Sequence, residues 1–226
     1  VKPGDQVFTA NSVSGTYAEF ALCEENQVWR LPENVSFEQG AGVFVPYATA
    51  FRALIQKAKA QPGETVLIHG ASGGVGIAAI QWAKNAGLQI IGTAGSAQGL
   101  KLIAEQGANF AVSHSEADYL EQIKEITSGK GVDVILEMLA NVNLQKDFEI
   151  LTMFGRVVVI GNRGSLDFNP RAIMGKDAAV FGMSLFNAPA EEMNEIHQAI
   201  YTGLSEGFLN PIVGKTFSLA EVALAH

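Results

Sequence analysis

The chain has a single cysteine, Cys23, so no intrachain disulfide can form and zinc sites built from several thiolates are excluded. Such sparing use of cysteine fits a reducing, cytoplasmic compartment. Charge is scarce as well: Asp, Glu, Lys and Arg make up 17% against 48% hydrophobic residues, which is the balance of a chain with a buried core. What charge there is leans acidic, 15 − 23 = −8, and gives no long-range attraction to nucleic acid or to an anionic membrane surface. No apolar run approaches the roughly 18 residues of a membrane span, and the first residues lack the basic and apolar regions of a signal peptide. Also missing are the GxxxxGK[ST] loop of nucleoside triphosphate binders, the HExxH of zinc proteases and the YxxxK of short-chain reductases. The chain opens on Val1 rather than Met, which predicts a fragment.

Glycine, by contrast, is abundant at 24 residues, and its placement is informative. From Thr65 onward, short β-branched apolar runs alternate with longer amphipathic stretches, the pattern of βαβ units and a parallel sheet. Strands are expected at 65–70, 89–94, 110–113, 132–137, 156–161 and 178–184, with helices at 75–86, 98–106, 117–128 and 142–151. Six strands with crossovers predict an α/β fold with a doubly wound, six-stranded parallel sheet of the Rossmann kind. Gly87, Gly107 and Gly129 each follow a helical run, where a left-handed C-cap suits them. The first sixty residues read instead as short antiparallel strands, 5–10, 17–22 and 27–31, broken by Pro3, Gly4, Gly15 and Pro32. A helix-like stretch over 38–59, a helix over 190–206 and a last strand over 212–217 complete the reading.

The segment His69-Gly70-Ala71-Ser72-Gly73-Gly74-Val75-Gly76 lies between a buried strand and an amphipathic helix. There, free backbone N–H groups and the helix dipole favour a dinucleotide pyrophosphate, and glycines let the backbone approach it. The same residues satisfy the GxSxG nucleophile elbow, with Asp167 or Asp177 and then His197 in the chain order of a hydrolase triad. Against that reading, 191–200 has helical periodicity around His197, and Val75-Gly76 extends the loop as pyrophosphate loops do. The end of the second strand of the repeat, Gly92 to Ser96, carries no acid where an NAD-specific fold holds the ribose hydroxyls. A carboxylate there repels a 2′-phosphate by roughly 4 kcal/mol at about 4 Å and an effective dielectric near 20. Its absence predicts NADPH over NADH, with His114 and Lys101 as the nearby basic groups.

The loop HGASGGVG, the TAGS after it, Glu137 to Asn143 (EMLANVN) and Val159 to Gly164 (VIGNRG) resemble the zeta-crystallin-like, NADPH-dependent quinone oxidoreductases of the medium-chain reductase superfamily. The likeness runs over essentially the whole chain, including Gly4 to Val7, Gly15 to Glu19 and Pro46 to Ala50. It implies part of a GroES-like, mainly β catalytic domain over 1–45, a Rossmann NADP-binding domain over 46–190, and a helix returning to the catalytic domain over 191–226. Segments before Val1 and after His226 are then expected to be missing. By residue, the resemblance implies that Ser72, Gly73, Gly74 and Val75 hold the pyrophosphate, and that Gly95 and His114 sit near the adenosine ribose and its phosphate. Asn143 and the segment Ile160, Gly161, Asn162 and Arg163 are implied to run along the cofactor, with Thr49 and Ser184 to Phe186 near the nicotinamide. Ser115 and Gly99 stand where relatives carry arginine or lysine. A structural-zinc lobe would be inserted between Val7 and Tyr17, where only nine residues lie and none is Cys, so a zinc-independent enzyme is expected. The resemblance implies reduction of quinones, or alternatively of α,β-unsaturated carbonyls, by a homodimer or homotetramer. A non-enzymatic crystallin or AU-rich RNA-binding role is the other class it leaves open. Tyr47 is a possible cleft hydroxyl or a packing residue, and no catalytic residue is assigned.

Overall fold

The structure, a computed structural model, describes residues 1–226. Near its start, β1 (Val7–Thr9) pairs antiparallel with β2 (Val28–Arg30). Two helices follow, α1 (Phe37–Ala41), capped by Ser36, and α2 (Phe44–Phe51), which continues through a π-helical turn over Arg52–Lys57. The repeat then runs β3 (Thr65–Ile68), α3 (Gly74–Asn85), β4 (Gln89–Ala94), α4 (Ala97–Gln106), β5 (Phe110–Ser113), α5 (Tyr119–Ile126), β6 (Val132–Glu137), α6 (Ala140–Ile150), β7 (Leu151–Val159), α7 (Arg171–Met174) and β8 (Ala179–Gly182). The chain closes with α8 (Ala190–Glu206) and the short α9 (Val222–Ala225).

The six strands β3 to β8 form one parallel sheet in the order β5-β4-β3-β6-β7-β8. Strand side chains alternate between faces, so the buried runs feed two cores. Val66, Ile68, Ile90, Val134, Leu136 and Val158 join α2, α3 and α8 on one face, whereas Leu67, Ile91, Ile135 and Val157 join α5 and α6 on the other. The order reverses between β3 and β6, and the crevice at the carboxyl ends of those two strands is where doubly wound sheets bind ligands. The expected fold class therefore stands.

Glycine caps fall where expected: Gly87, Gly107 and Gly129 all have positive φ, at 73°, 109° and 76°. Four expectations need correction. Residues 17–20 form bends and 21–22 are irregular rather than a strand; the Val13 N–H bond to the Leu22 carbonyl at 2.8 Å builds no ladder, and Tyr17 and Phe20 are 65% and 88% exposed. Residues 212–217 likewise form no strand. The helix-like stretch 38–59 is interrupted at Gly42 and widens into the π-helical turn. The fifth strand of the sheet starts at Leu151 instead of Arg156, because Leu151 pairs with Val132 before the register jumps to Arg156 opposite Val134. Phe154, at φ 62°, carries the chain through that irregularity.

Candidate cofactor-binding site

The glycine loop leaves β3 with Gly70 at φ 57°, a conformation L side chains rarely adopt, and enters α3 at Gly73. Ser36 caps α1 and Ser96 caps α4, whereas α3, like α2, α5, α6 and α8, has no side-chain cap. Its first-turn N–H groups, from Gly74 onward, have no partner within the helix and face the crevice. Gly73 and Gly74 are exposed, and Ser72 and Val75 half-buried. Gly76 serves packing instead: a Cβ there would lie 2.5 Å from the Ala71 Cα, so only glycine lets α3 sit this close to the strand end. The cradle is an unpartnered, glycine-lined helix start, which fits a pyrophosphate.

Around it, the expected residues converge. Gly95 directly follows β4, and a Cβ on it would meet His114 Nε2 at 2.9 Å, so glycine is what allows the imidazole to lie across that strand end. His114 Nδ1 is 3.4 Å from Thr93 Oγ1. Burial and the nearby positive charge of His69 lower the His114 pKa, which makes it a neutral hydrogen-bonding group rather than a fixed cation. Lys101 is solvent-exposed and faces Glu105 at 3.7 Å. Gly99 has a physical reason to lack a side chain, since a Cβ would lie 3.1 Å from Ser72 Oγ.

On the other side of the crevice, the loops after β6 and β7 are stitched together. Asn141 N–H donates to Asn162 Oδ1 at 2.9 Å, and Arg163 N–H donates to Asn141 Oδ1 at 3.0 Å. Ile160 and Gly161 N–H both donate to the Glu137 carbonyl, and Ala140 N–H donates to the Gly161 carbonyl. A Cβ on Gly161 would overlap the Met138 carbonyl oxygen. Asn143 is half-buried and donates to Glu137 Oε1 at 3.2 Å. Thr49 is buried on α2, the helix that also brings Pro46 against Gly74.

Tyr47 is not at the cleft. It is 2% exposed, its hydroxyl donates to Gln81 Oε1 at 3.0 Å, and burial drives its pKa upward. His197 lies in α8, stacked on Trp29 at 3.7 Å between centroids and facing Phe44 at 5.3 Å. The triad arrangement therefore gives way to an aromatic stack. A groove of about 940 Å³ is lined by Phe8, Trp29, His197 and Tyr201 among others and involves none of the glycine-loop residues.

Sequence reading missed a cluster directly under the crevice. His69, at the exit of β3, places Nε2 2.9 Å from Asp147 Oδ1 and 3.5 Å from Glu137 Oε2, and all three side chains are buried. The only trace in the sequence is a polar residue ending each of two apolar strands.

A doubly wound sheet with an uncapped glycine start at its switch point defines a dinucleotide-binding α/β protein. The profile of the zinc-binding dehydrogenase family matches residues 74–201. Quinone oxidoreductase from Homo sapiens is 47% identical over 225 residues, covering 100% of this chain and 68% of its own length. Among solved structures, Escherichia coli quinone oxidoreductase complexed with NADPH superposes with a TM-score of 0.83 at 31% identity, over 95% of this chain and 67% of that one. CurK enoyl reductase gives a TM-score of 0.81 at 31% identity, over 88% of this chain; the present chain spans 61% of it. The chain belongs to the quinone oxidoreductase family. Zinc, which the broader family's description names, does not fit the residues here. Cys23 has no neighbouring ligand, and in the one close His–carboxylate cluster the His69 Nε2 is committed to Asp147 and Glu137 Oε1 to the Leu139 N–H and Asn143.

Proposed function

We propose that the protein of which this chain is part transfers reducing equivalents from NADPH to quinones without a metal. The observation that carries the reading is the uncapped, glycine-lined start of α3 facing a β4 end that bears no acid. The N–H groups around Ser72 to Val75 hold the pyrophosphate, and Gly95 and His114 frame the adenosine ribose and its 2′-phosphate. Asn143 and Ile160 to Arg163 flank the middle of the cofactor, and Thr49 stands on the nicotinamide side. NADPH supplies the reducing equivalents when bound. The chain's own part is to orient the ring against a flat acceptor and keep water away, because quinones need little electrophilic help. The likeness to an enoyl reductase supports activated enones as the second acceptor class.

The family likeness also supports a homo-oligomer, and no helix is long and apolar enough to cross a membrane. A cytoplasmic location agrees with the single cysteine. The net charge of −8 speaks against RNA as the partner. Full-length protein is expected to oxidise NADPH with 1,2-naphthoquinone and to leave simple alcohols untouched. If no quinone and no enone drives NADPH oxidation, the reading fails.

A further inference from the structure

Two carboxylates and an imidazole sit in a fully enclosed place, where water cannot screen them. Glu137 and Asp147 are 0% exposed and His69 is 3% exposed. Glu137 Oε1 accepts hydrogen bonds from the Leu139 N–H and from Asn143 Nδ2, while Glu137 Oε2 and Asp147 Oδ2 have no donor. An orphaned oxygen on each of two neighbouring carboxyls is the signature of a missing proton held between them. With one proton on His69 and one shared by the carboxyls, the cluster is neutral. Without the shared proton it carries a buried negative charge beneath the crevice that receives the cofactor's phosphates.

We propose that Glu137 is a positioning residue that fixes the Met138–Asn143 loop, and that the His69–Glu137–Asp147 cluster takes up its shared proton from solvent when the dinucleotide binds. The inference rests on the NADPH reading above. Two features of the geometry carry it. The same carboxyl group that bonds the loop at Oε1 turns Oε2 to 3.5 Å from His69 Nε2, in a cluster whose ligand atoms, Asp147 included, lie within 4.8 Å of one another, and His69 starts the glycine loop itself. Loop, pyrophosphate cradle and proton therefore share one set of side chains.

Electrostatics agrees in sign. Burial pushes the Glu137 carboxyl up to about 7, with His69 opposing and Asp147 adding to the rise. Burial opposes protonation of His69, yet the hydrogen bond and charge of Asp147 together with Glu137 leave its pKa raised. The other groups that face the cluster are Tyr119 on α5, whose pKa is raised by burial and then by Asp147, Glu137 and Glu149, and His114 beyond β5. The phosphates of a bound cofactor repel the ionised cluster, so binding raises its apparent pKa and consumes a proton. A rise of one unit weakens NADPH binding about tenfold as pH climbs through the cluster's titration.

The test uses full-length protein and NADPH fluorescence titrations from about pH 6.5 to about pH 9. Glu137→Gln keeps an acceptor for the loop and offers Asp147 a permanent donor, so its affinity is expected to lose the extra pH slope seen in the wild type. Titration of the cofactor's own phosphate is common to both proteins and cancels. Parallel slopes would overturn the inference while leaving NADPH binding intact; a wild type that binds no NADPH would overturn the functional reading together with it. Should Glu137→Gln fail to fold, infrared spectra of the wild type decide alone. A protonated-carboxyl band that titrates near neutrality and persists to higher pH with NADPH bound is expected, and its absence at every pH refutes the proposal.

Discussion

At the scale of single residues, two positions show how a side chain, or the lack of one, sets what the molecule tolerates. His197 is sandwiched among Phe8, Trp29 and Phe44, and burial lowers its pKa to about 4. The unfolded chain holds this imidazole near 6.5, so between those two values the unfolded state binds more protons than the folded one. The stabilisation is therefore fully present above about pH 6.5 and lost as pH falls toward 4. Because the ring borders a solvent-filled groove, the loss is expected at about 1–2 kcal/mol. His197→Phe keeps the stacking and should flatten the fall in thermal midpoint between pH 6.5 and 4; an unchanged slope would assign the acid sensitivity elsewhere. Gly161 is the opposite case, a position where a methyl group would strike the Met138 carbonyl. Gly161→Ala should destabilise the fold by about 1–3 kcal/mol and weaken NADPH binding, since the loops after β6 and β7 would be driven apart. Thermal melts and a cofactor titration read the two effects separately.

At the scale of elements, the proposed site has α3 leave its start uncapped for a ligand. A helix start without a cap leaves N–H donors unsatisfied, and a ligand anion supplies what a side chain would otherwise give. Gly73→Asp tests the trade directly, because Gly73 already has the extended conformation of a cap residue and a Cβ there meets nothing closer than 3.4 Å. The new carboxylate should cap the helix and hold or raise the thermal midpoint. It should also repel the pyrophosphate by on the order of 100-fold in NADPH affinity. Binding and stability that fell together would show the loop to be structural only. The sheet elements were largely legible in sequence because the central strands β3, β4 and β6 are buried on both faces and read as continuous apolar runs; β4 and β6, and the edge strand β5, match residue for residue. Segments whose form depends on a partner were not. Residues 17–22 and 212–217 are apolar enough to read as strands but form no ladder. For the site, the glycine loop was readable from backbone demands alone. Asp147 was not, since a lone acid on an amphipathic helix looks like surface until the fold brings His69 and Glu137 to it.

At the scale of the whole molecule, the sheet ends unequally. Its β5 edge is followed by α5 and carries Phe110 at 41% exposure. At the other end, β8 pairs only with β7 and leaves Val180 and Phe181 each 36% exposed beside an open backbone edge. An apolar edge strand with no charge, proline or bulge to blunt it is a template for pairing with another copy. An isologous contact, in which the same strand of two copies meets across a two-fold axis, would extend the parallel sheets into one and bury those side chains. This edge is the expected subunit contact if the protein is the homo-oligomer proposed above. Phe181→Lys places a charge on the exposed edge without touching the crevice, and like charges facing each other across the axis oppose pairing. In full-length protein the substitution should shift sedimentation toward the smaller species and leave the NADPH affinity of each subunit within about twofold. Unchanged sedimentation would move the contact away from β8.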